Sequence, residues 1–213
     1  MDIVAGNCCD NLQYKASVEK PVTLYYGDFD GNGNVDPIMM YYNGDKSYPI
    51  ASRDEIQEQM TGLKKLFVYY KDYADAGIKD ILTPEQLSKA KVLKANTQES
   101  MVFINDGKDN FTMRPLPAEA QFSRVSSILG LNKKQLLLSG NFYPYRAQWG
   151  HCDASMGLVA DCVKNNITAE RPYQSGLYLN GDVRHATILE SIAHRKLLLV
   201  AANNQPLQLY EIP

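Results

Sequence analysis

Oxygen-bearing side chains are concentrated in one nine-residue segment, residues 28–36, which reads Asp-Phe-Asp-Gly-Asn-Gly-Asn-Val-Asp. Its polar residues occupy alternate positions and are Asp28, Asp30, Asn32, Asn34 and Asp36. A tight loop with this spacing can surround a hard cation with roughly six to eight oxygen ligands, and the seventh position would contribute its backbone carbonyl. Three carboxylates this close would repel one another without a cation. The segment therefore predicts a Ca²⁺ site, in preference to Mg²⁺, which releases its water reluctantly.

The residues after this loop distinguish between two kinds of calcium site. An EF-hand needs a bidentate Glu at position 12, where this chain has Met39. Residues 37–42, Pro-Ile-Met-Met-Tyr-Tyr, favour a strand over a helix. We therefore predict a calcium loop that joins two strands. The alternative is an Asp/Asn/Gly turn that binds no metal.

Short apolar runs that end in turns recur along the chain and predict the strands that would position this loop. They occupy residues 3–5, 38–42, 136–138 and 198–200, and runs of this length suit strands that are buried on both faces. An Asn-Asp-Gly turn within residues 102–112 predicts a β-hairpin. The last two runs are separated by a little more than the length of a common propeller blade. The second and third are further apart, which indicates an insertion.

Residues 52–92 have a helical pattern and form this insertion. Ser52 and Glu55 have the spacing of a capping box, and Thr83 followed by Pro predicts the start of a second helix. The fold prediction is therefore a single, mainly β segment over residues 1–213, with a two-helix insertion at residues 52–92. We expect the insertion to cap one edge or end of the sheets, and the alternative is a catalytic lid.

The composition excludes several classes of protein. Of the 213 residues, 45% are hydrophobic and 22% are charged, which excludes a wholly disordered chain. The net charge is only -2, so the chain as a whole has no electrostatic preference for nucleic acid or an anionic membrane. No apolar run approaches the ~20 residues needed to cross a bilayer. The chain begins without a basic segment followed by an apolar one, so we expect no signal peptide in it.

A second candidate site lies in the aromatic, proline-containing segment at residues 141–151. Aromatic faces beside hydrogen-bond donors suit the recognition of a sugar or a peptide. The alternative is that the aromatic side chains anchor the loop in the core. The candidate ligand-binding residues are Tyr143, Tyr145, Arg146, Trp149 and His151.

No sequence motif predicts an enzyme. His151, Cys152 and Asp153 are adjacent in sequence, but adjacency does not give the geometry of a catalytic triad. A glycan-cleaving enzyme that uses scattered carboxylates is the alternative function, and RNA binding is a further one that the neutral charge disfavours.

The four cysteines lack the spacing of a zinc or redox motif. We expect all four to be small buried apolar side chains, although Cys152 and Cys162 could pair across a hairpin. The four are Cys8, Cys9, Cys152 and Cys162.

Residues 28–36, the strand after them and the hairpin at residues 102–112 resemble FG-GAP/VCBS repeats, which form the blades of β-propellers such as the integrin α-subunit head. Residues 115–123, 140–143 and 153–157 resemble the C-terminal region of a subgroup of large bacterial secreted or surface-anchored proteins with such repeats. The resemblance covers nearly the whole chain.

This resemblance implies a partial or small β-propeller of about three to four blades, with a structural Ca²⁺ held by the five polar residues of the loop. Two further copies of the loop, at residues 131–134 and 182–185, lack the acidic set, so we expect one intact cation site and two degenerate ones. The implied function is non-catalytic binding of a protein or carbohydrate ligand at the cell surface, outside the cytoplasm and within a longer precursor. Open sheet edges would favour self-association.

Overall fold

The computed structural model describes residues 1–145, 149–163 and 166–212. Strands account for 37% of the structure and helices for 17%. The strands form four antiparallel sheets, each of three or four strands, and none of the sheets closes on itself within the described residues. The prediction of a mainly β fold is confirmed, whereas a propeller is not.

The strands are β1 (Ile3–Ala5), β2 (Val22–Tyr26), β3 (Ile38–Asn43), β4 (Lys46–Pro49), β5 (Lys91–Ala95), β6 (Met101–Asn105), β7 (Phe111–Pro115), β8 (Val125–Gly130), β9 (Gln135–Gly140), β10 (Leu158–Val163), β11 (Asn166–Ala169), β12 (Val183–Glu190), β13 (Lys196–Ala202) and β14 (Gln208–Ile212). The α-helices are α1 (Arg53–Gln59), α2 (Tyr70–Ala74), α3 (Ile78–Ile81), α4 (Pro84–Lys89) and α5 (Pro172–Ser175). Segments of 3-10 helix cover Thr61–Lys65 and Ala118–Gln121.

The chain divides into two compact units. The insert unit, Leu12–Gln98, contains the sheet β4-β3-β2-β5 and helices α1 to α4. The sheet unit, Met1–Asn11 with Glu99–Pro213, contains the sheets β1-β6-β7, β11-β10-β9-β8 and β12-β13-β14. The prediction of one segment over residues 1–213 gave no indication of this division.

The core of the insert unit lies between one face of its sheet and the helices. On β3, Ile38 and Met40 are buried, whereas Met39 between them is 39% exposed. The expectation that this strand is buried on both faces was therefore wrong, because the helices cover only one face. The core side chains are Phe29, Ile38, Met40, Ile56, Met60, Leu63, Phe67, Tyr73, Ala76, Ile81 and Leu82.

The insertion predicted at residues 52–92 contains more helices than the two expected. The predicted caps are present, since the Ser52 hydroxyl accepts a hydrogen bond from the Glu55 amide at 3.3 Å and Thr83 caps α4 in the same way. The first predicted helix ends at Gln59, however, and continues as a 3-10 turn that contains Gly62, a poor helix former. Four short α-helices and this turn replace two longer helices.

In the sheet unit, the interior strand β9 contributes side chains to two different hydrophobic cores. Leu137 and Leu138 are adjacent and fully buried, and they point to opposite faces of the sheet as neighbours on a strand do. Leu137 packs with side chains of the β12-β13-β14 sheet, and Leu138 packs with Val102 of the β1-β6-β7 sheet. For β9, burial on both faces is confirmed. The β8–β11 sheet thus lies between the other two sheets of this unit.

Strand β1 joins the sheet unit across the whole length of the inserted segment. Ile3–Ala5 pairs with β6 in antiparallel register, so that Val4 lies opposite Val102. The Asn7 amide donates to the Ser100 hydroxyl at 3.1 Å, which places the chain entering the insert unit beside the chain leaving it. The hairpin predicted at residues 102–112 is confirmed as β6–β7. No helix among the described residues is both long enough and apolar enough to cross a membrane.

Candidate metal centre

The loop between β2 and β3 adopts a conformation that depends on its glycines. Gly31 and Gly33 have φ angles of 76° and 87°, in the left-handed region that side chains rarely adopt. The space beside both Cα atoms is open, so the backbone angle, and not crowding, selects glycine there. The two residues turn the chain so that successive amides point into the loop. The prediction that the loop joins two strands is confirmed, because β3 follows it directly.

Asp28 organises the first half of the loop. Its Oδ1 accepts hydrogen bonds from the amides of Gly31 at 2.8 Å and Asn32 at 3.1 Å. Its Oδ2 accepts from the Gly33 amide at 2.9 Å. Both carboxylate oxygens are thus held in place by backbone donors of the loop itself.

Asp30 and Asn32 form a second, exposed layer. Asn32 donates to Asp30 through its backbone amide at 3.1 Å and through its side-chain Nδ2 at 3.0 Å. The Asn32 Oδ1 accepts from the Asn34 amide at 2.7 Å. Asn34 therefore joins this network through its backbone amide. The predicted cation contact at this position would use the Asn34 backbone carbonyl instead.

Asp36 closes the loop from its far end and is buried, with 2% of its surface exposed. Its Oδ2 accepts from the Phe29 amide at 2.9 Å, and its own amide donates to the Gly27 carbonyl at 2.7 Å. Phe29 is itself 7% exposed and belongs to the core of the insert unit. The Phe29 carbonyl accepts from Gln86 Nε2 of α4 at 2.5 Å. The loop is thereby tied to the core and to the helices.

These bonds bring three of the predicted ligands together. One carboxylate oxygen from each of Asp28, Asp30 and Asp36 lies within 4.8 Å of the other two. An all-oxygen set with two exposed carboxylates and one buried carboxylate suits a hard divalent cation that enters from solvent.

The two expected degenerate copies have different positions in the fold. Residues 131–134 form the turn between β8 and β9, which is the position equivalent to the loop between β2 and β3. Asp182 instead lies before β12, and the turn between β12 and β13 covers residues 191–195. The interpretation of Asp182 as a counterpart of Asp28 was therefore wrong, because it aligned a residue before a hairpin with a residue inside one.

Two of the ring pairs in the aromatic segment join predicted ligand-binding residues. Tyr143 and His151 stack with ring centroids 4.7 Å apart, and the rings of Tyr145 and Trp149 are 5.5 Å apart. Arg146, the fifth predicted ligand-binding residue, lies outside the described residues. His151 is exposed and the other three are half-buried, so the segment offers aromatic surface and is also anchored.

Charged residues that the sequence did not point to surround this segment. The guanidinium groups of Arg124 and Arg184 lie 5.1 and 5.5 Å from the ring centre of Phe142. Arg184 donates to Oδ2 of Asp182 at 2.6 Å, and the Asp182 side chain is fully buried. Arg124 immediately precedes β8 and Arg184 lies at the start of β12, so no local pattern could have grouped the two arginines.

Asp182 leaves one polar atom unused. Its Oδ1 has no hydrogen-bond partner within the part of the chain that the structure describes.

Burial, followed by the negative charges of Asp153 and Asp182, raises the pKa of Tyr143, so its hydroxyl stays protonated. The region around Phe142 therefore combines two cations, a buried carboxylate and aromatic faces.

The cysteines differ from the expectation that all four are buried. Cys9 is 1% exposed, but Cys8 is exposed and both Cys152 and Cys162 are half-buried. None of the four forms a disulfide bond within the described residues. Cys152 pairs through its backbone with Phe142, and His151, Cys152 and Asp153 form no hydrogen-bonded triad in the described structure.

Comparisons with other proteins find nothing similar to this chain: no family model, no curated protein and no solved structure matches it. The resemblance to FG-GAP/VCBS repeats therefore rests on the motif residues of this sequence alone.

Proposed function

We propose that this chain is a non-catalytic, calcium-stabilised module of blade-like β-sheets that binds a protein or glycan ligand outside the cytoplasm, as part of a longer surface protein. The convergence of Asp28, Asp30 and Asp36 within 4.8 Å is the observation that carries this proposal.

Calcium is the cation that suits this loop best. The donors are carboxylate, amide and backbone oxygens on a short, glycine-containing loop. Ca²⁺ accepts six to eight such ligands in variable geometry, whereas Mg²⁺ demands a near-ideal octahedron and retains its waters. Bound Ca²⁺ would cancel the mutual repulsion of the carboxylates.

The role of the cation would be structural. Asp36 holds the Phe29 amide, and Phe29 packs in the core while its carbonyl accepts from Gln86. A cation on the loop would therefore stabilise the β2–β3 connection together with the helices that pack on it. No part of this role requires a chemical reaction.

The layered sheets of the sheet unit support the blade-like part of the proposal. Antiparallel sheets of three or four strands pack face to face in this unit through apolar side chains such as Leu137 and Leu138, and neighbouring propeller blades also pack in this way. No arrangement of the described residues favours the glycan-cleaving or the RNA-binding alternative.

The aromatic segment is the proposed contact site for the ligand. The stacked Tyr143 and His151 rings and the Tyr145–Trp149 pair offer faces for a sugar ring or a peptide side chain. Arg124 and Arg184 beside Phe142 would add hydrogen-bond donors.

Thermal unfolding with and without calcium tests the proposal. At a Ca²⁺ concentration about 100 times the Kd, binding adds about 2.7 kcal/mol, which corresponds to a rise in Tm of about 5–11 °C for a chain of this size. We expect this rise for the native chain. The Asp30→Asn variant should lose most of it, because the substitution removes one of the carboxylates of the proposed site. Asp30 is exposed and bonds only within the loop, so the loss would reflect calcium binding and not the fold.

The matched control is Asp106→Asn, which changes an exposed Asp in the β6–β7 turn that belongs to no carboxylate cluster in the described structure. This variant should keep the full calcium response. Equal Tm values for the native chain in CaCl₂ and in EDTA would refute the calcium part of the proposal.

A further inference from the structure

A cavity of about 320 Å³ lies in the insert unit, where the β3–β4 hairpin meets helix α2. This volume is at the lower end of the range for ligand pockets, roughly 300–1,000 Å³. Three tyrosines and an asparagine supply most of the lining, and no Leu, Ile, Val, Met or Phe contributes to it. A wholly apolar ligand such as a lipid therefore does not suit this cavity. Its lining residues are Tyr41, Asn43, Tyr48, Pro49, Tyr73 and Ala74.

The hairpin brings four aromatic or polar side chains to one of its faces. Tyr41 lies directly opposite Tyr48, and Asn43 lies directly opposite Lys46. Residues two apart on a strand share a face, so the four side chains are on the same side of the hairpin. Residues directly opposite each other in antiparallel strands have Cβ atoms about 4.5–5.5 Å apart, so the register makes the two tyrosines close neighbours.

The protein itself leaves the polar groups of this face unused. The hydroxyls of Tyr41 and Tyr48 and the side-chain amide of Asn43 form no hydrogen bond with any residue that the structure describes. Tyr73 differs, since its hydroxyl donates to the Ala51 carbonyl at 2.8 Å. Tyr73 is therefore a fixed wall of the cavity, whereas the other three groups can donate to a ligand and accept from it.

Neighbouring side chains support both rings and leave the rim without excess charge. The ring centres of Tyr14 and Tyr41 are 6.2 Å apart. The Lys46 Nζ lies 5.3 Å from the ring centre of Tyr48 and 3.3 Å from Oδ1 of Asp75. Because the Asp75 carboxylate offsets the charge of Lys46, this arrangement favours a neutral ligand over an anionic one.

We propose that this cavity is a second binding site, separate from the aromatic segment at residues 141–151, and that it binds one pyranose ring of a neutral glycan. A pyranose has an apolar C–H face that packs on an aromatic ring, and its hydroxyls both donate and accept hydrogen bonds. Tyr41 and Tyr48 provide the aromatic surface. Their hydroxyls and the Asn43 amide provide the polar partners.

This inference goes beyond the proposed function, because the residues that carry it lie in the insert unit and the aromatic segment lies in the sheet unit. Resonances of the two regions can be observed separately in one NMR experiment. The indole resonance of Trp149 reports the aromatic segment, and the amide resonances of Tyr41, Asn43 and Tyr48 report the cavity. Failure of one site is therefore distinguishable from failure of the other.

The test is a titration of the ¹⁵N-labelled full chain with methyl glucoside, methyl galactoside and methyl mannoside. We expect at least one of these probes to shift the three cavity amides with a Kd of about 1–10 mM, the range for a small ligand with few contacts. Methyl glucuronide, the anionic counterpart of the glucoside, should bind no more tightly than the glucoside does.

Variants of the cavity complete the test. Tyr41→Ala should raise the Kd about tenfold, and Tyr48→Phe, which keeps the ring and removes only the hydroxyl, should raise it about two- to tenfold. Neither tyrosine belongs to the core of the insert unit, so both variants should keep the native circular dichroism spectrum. Tyr48→Phe keeps the proposal testable if Tyr41→Ala does not fold. The matched control is Tyr26→Ala, which removes a 44% exposed tyrosine of the same sheet outside the cavity and should bind as the native chain does.

Three results would overturn the proposal. The first is the absence of cavity shifts with all three neutral probes. The second is shifts confined to residues 141–151, which would support the proposed function and not this site. The third is tighter binding of methyl glucuronide or of adenosine at the cavity amides, which would assign the cavity to an anionic ligand or to a nucleobase.

Discussion

Two turns of this protein use the same residue types and reach different arrangements. The loop at residues 28–36 and the turn at residues 105–110 are both rich in Asp, Asn and Gly, and both join antiparallel strands. Both contain a glycine with positive φ, which is 87° for Gly33 and 83° for Gly107. In both, an aspartate accepts hydrogen bonds from amides that follow it in sequence.

The difference lies in where the remaining carboxylates stand. Asp106 is satisfied within its own turn, by the Lys108 amide at 2.7 Å and by Asn110 Nδ2 at 2.9 Å. In the longer loop, Asp36 returns from the far end and meets Asp28 and Asp30. Residue types alone therefore predict a turn, while their spacing and a buried third carboxylate distinguish a candidate cation site from a turn that needs no ion.

The largest expected effect tests whether the longer loop is anchored in a core. Phe29→Ala removes a side chain that is 7% exposed, and we expect it to lower the free energy of unfolding by about 3–5 kcal/mol. Phe111→Ala, beside the shorter turn, removes a ring that is 43% exposed and should cost less than about 1 kcal/mol. Urea denaturation followed by far-UV circular dichroism measures both.

The single tryptophan makes this comparison more specific. Trp149 lies in the sheet unit, so its fluorescence follows that unit, whereas circular dichroism follows both. Equal costs for Phe29→Ala and Phe111→Ala would show that the loop is not anchored more firmly than the turn.

A smaller effect tests the buried carboxylate. Asp36→Ala leaves the Phe29 amide without its acceptor, and in calcium-free buffer we expect a loss of about 1–3 kcal/mol. Asp106→Ala should have a much smaller effect, because its amide donors are exposed to water. Chemical denaturation in EDTA measures the difference. If Asp36→Ala were more stable than the native chain, repulsion among the carboxylates would outweigh this hydrogen bond.

The smallest effect concerns the pH dependence of the shorter turn. Hydrogen bonds from Asn110 and then from the Lys108 amide lower the pKa of Asp106 below its ordinary value of 3.8. A carboxyl whose folded-state pKa is lowered contributes stability above its unfolded pKa and loses it as the pH falls through the folded pKa. The Asp106 resonances should therefore titrate below pH 3.8 in an NMR experiment. Titration at or above that pH would contradict the turn geometry.

Features that are written within one short segment could be predicted from the sequence. The loop carboxylates, the capping residues Ser52 and Thr83 and the β6–β7 hairpin depend on neighbours a few residues away, and the structure has them where the patterns indicated. The burial of Leu137 and Leu138 likewise followed from an unbroken apolar run.

Features that depend on distant residues could not be predicted. The pairing of β1 with β6 joins residues separated by the whole insert unit, and Arg124 and Arg184 meet at Phe142 from different sheets. The early end of the first helix depends on Gly62 and on how the following residues pack, which helical spacing alone does not reveal. Asp182 was assigned to the wrong position because a short Gly-Asp pair does not define a register.

The pairing of β1 with β6 has a consequence for how the chain reaches its native state. If this pairing formed first, it would have to close a long flexible loop, and the entropic cost of closure grows with loop length. If residues 12–98 folded first, the loop would shrink to the distance between the two ends of the insert unit. The hydrogen bond from Asn7 to Ser100 holds the chain before and after this unit side by side. Folding of the insert unit before β1 pairs with β6 is therefore favoured. Substitutions that slow the folding of the insert unit would then delay formation of the β1-β6-β7 sheet, although the insert unit contributes no strand to it.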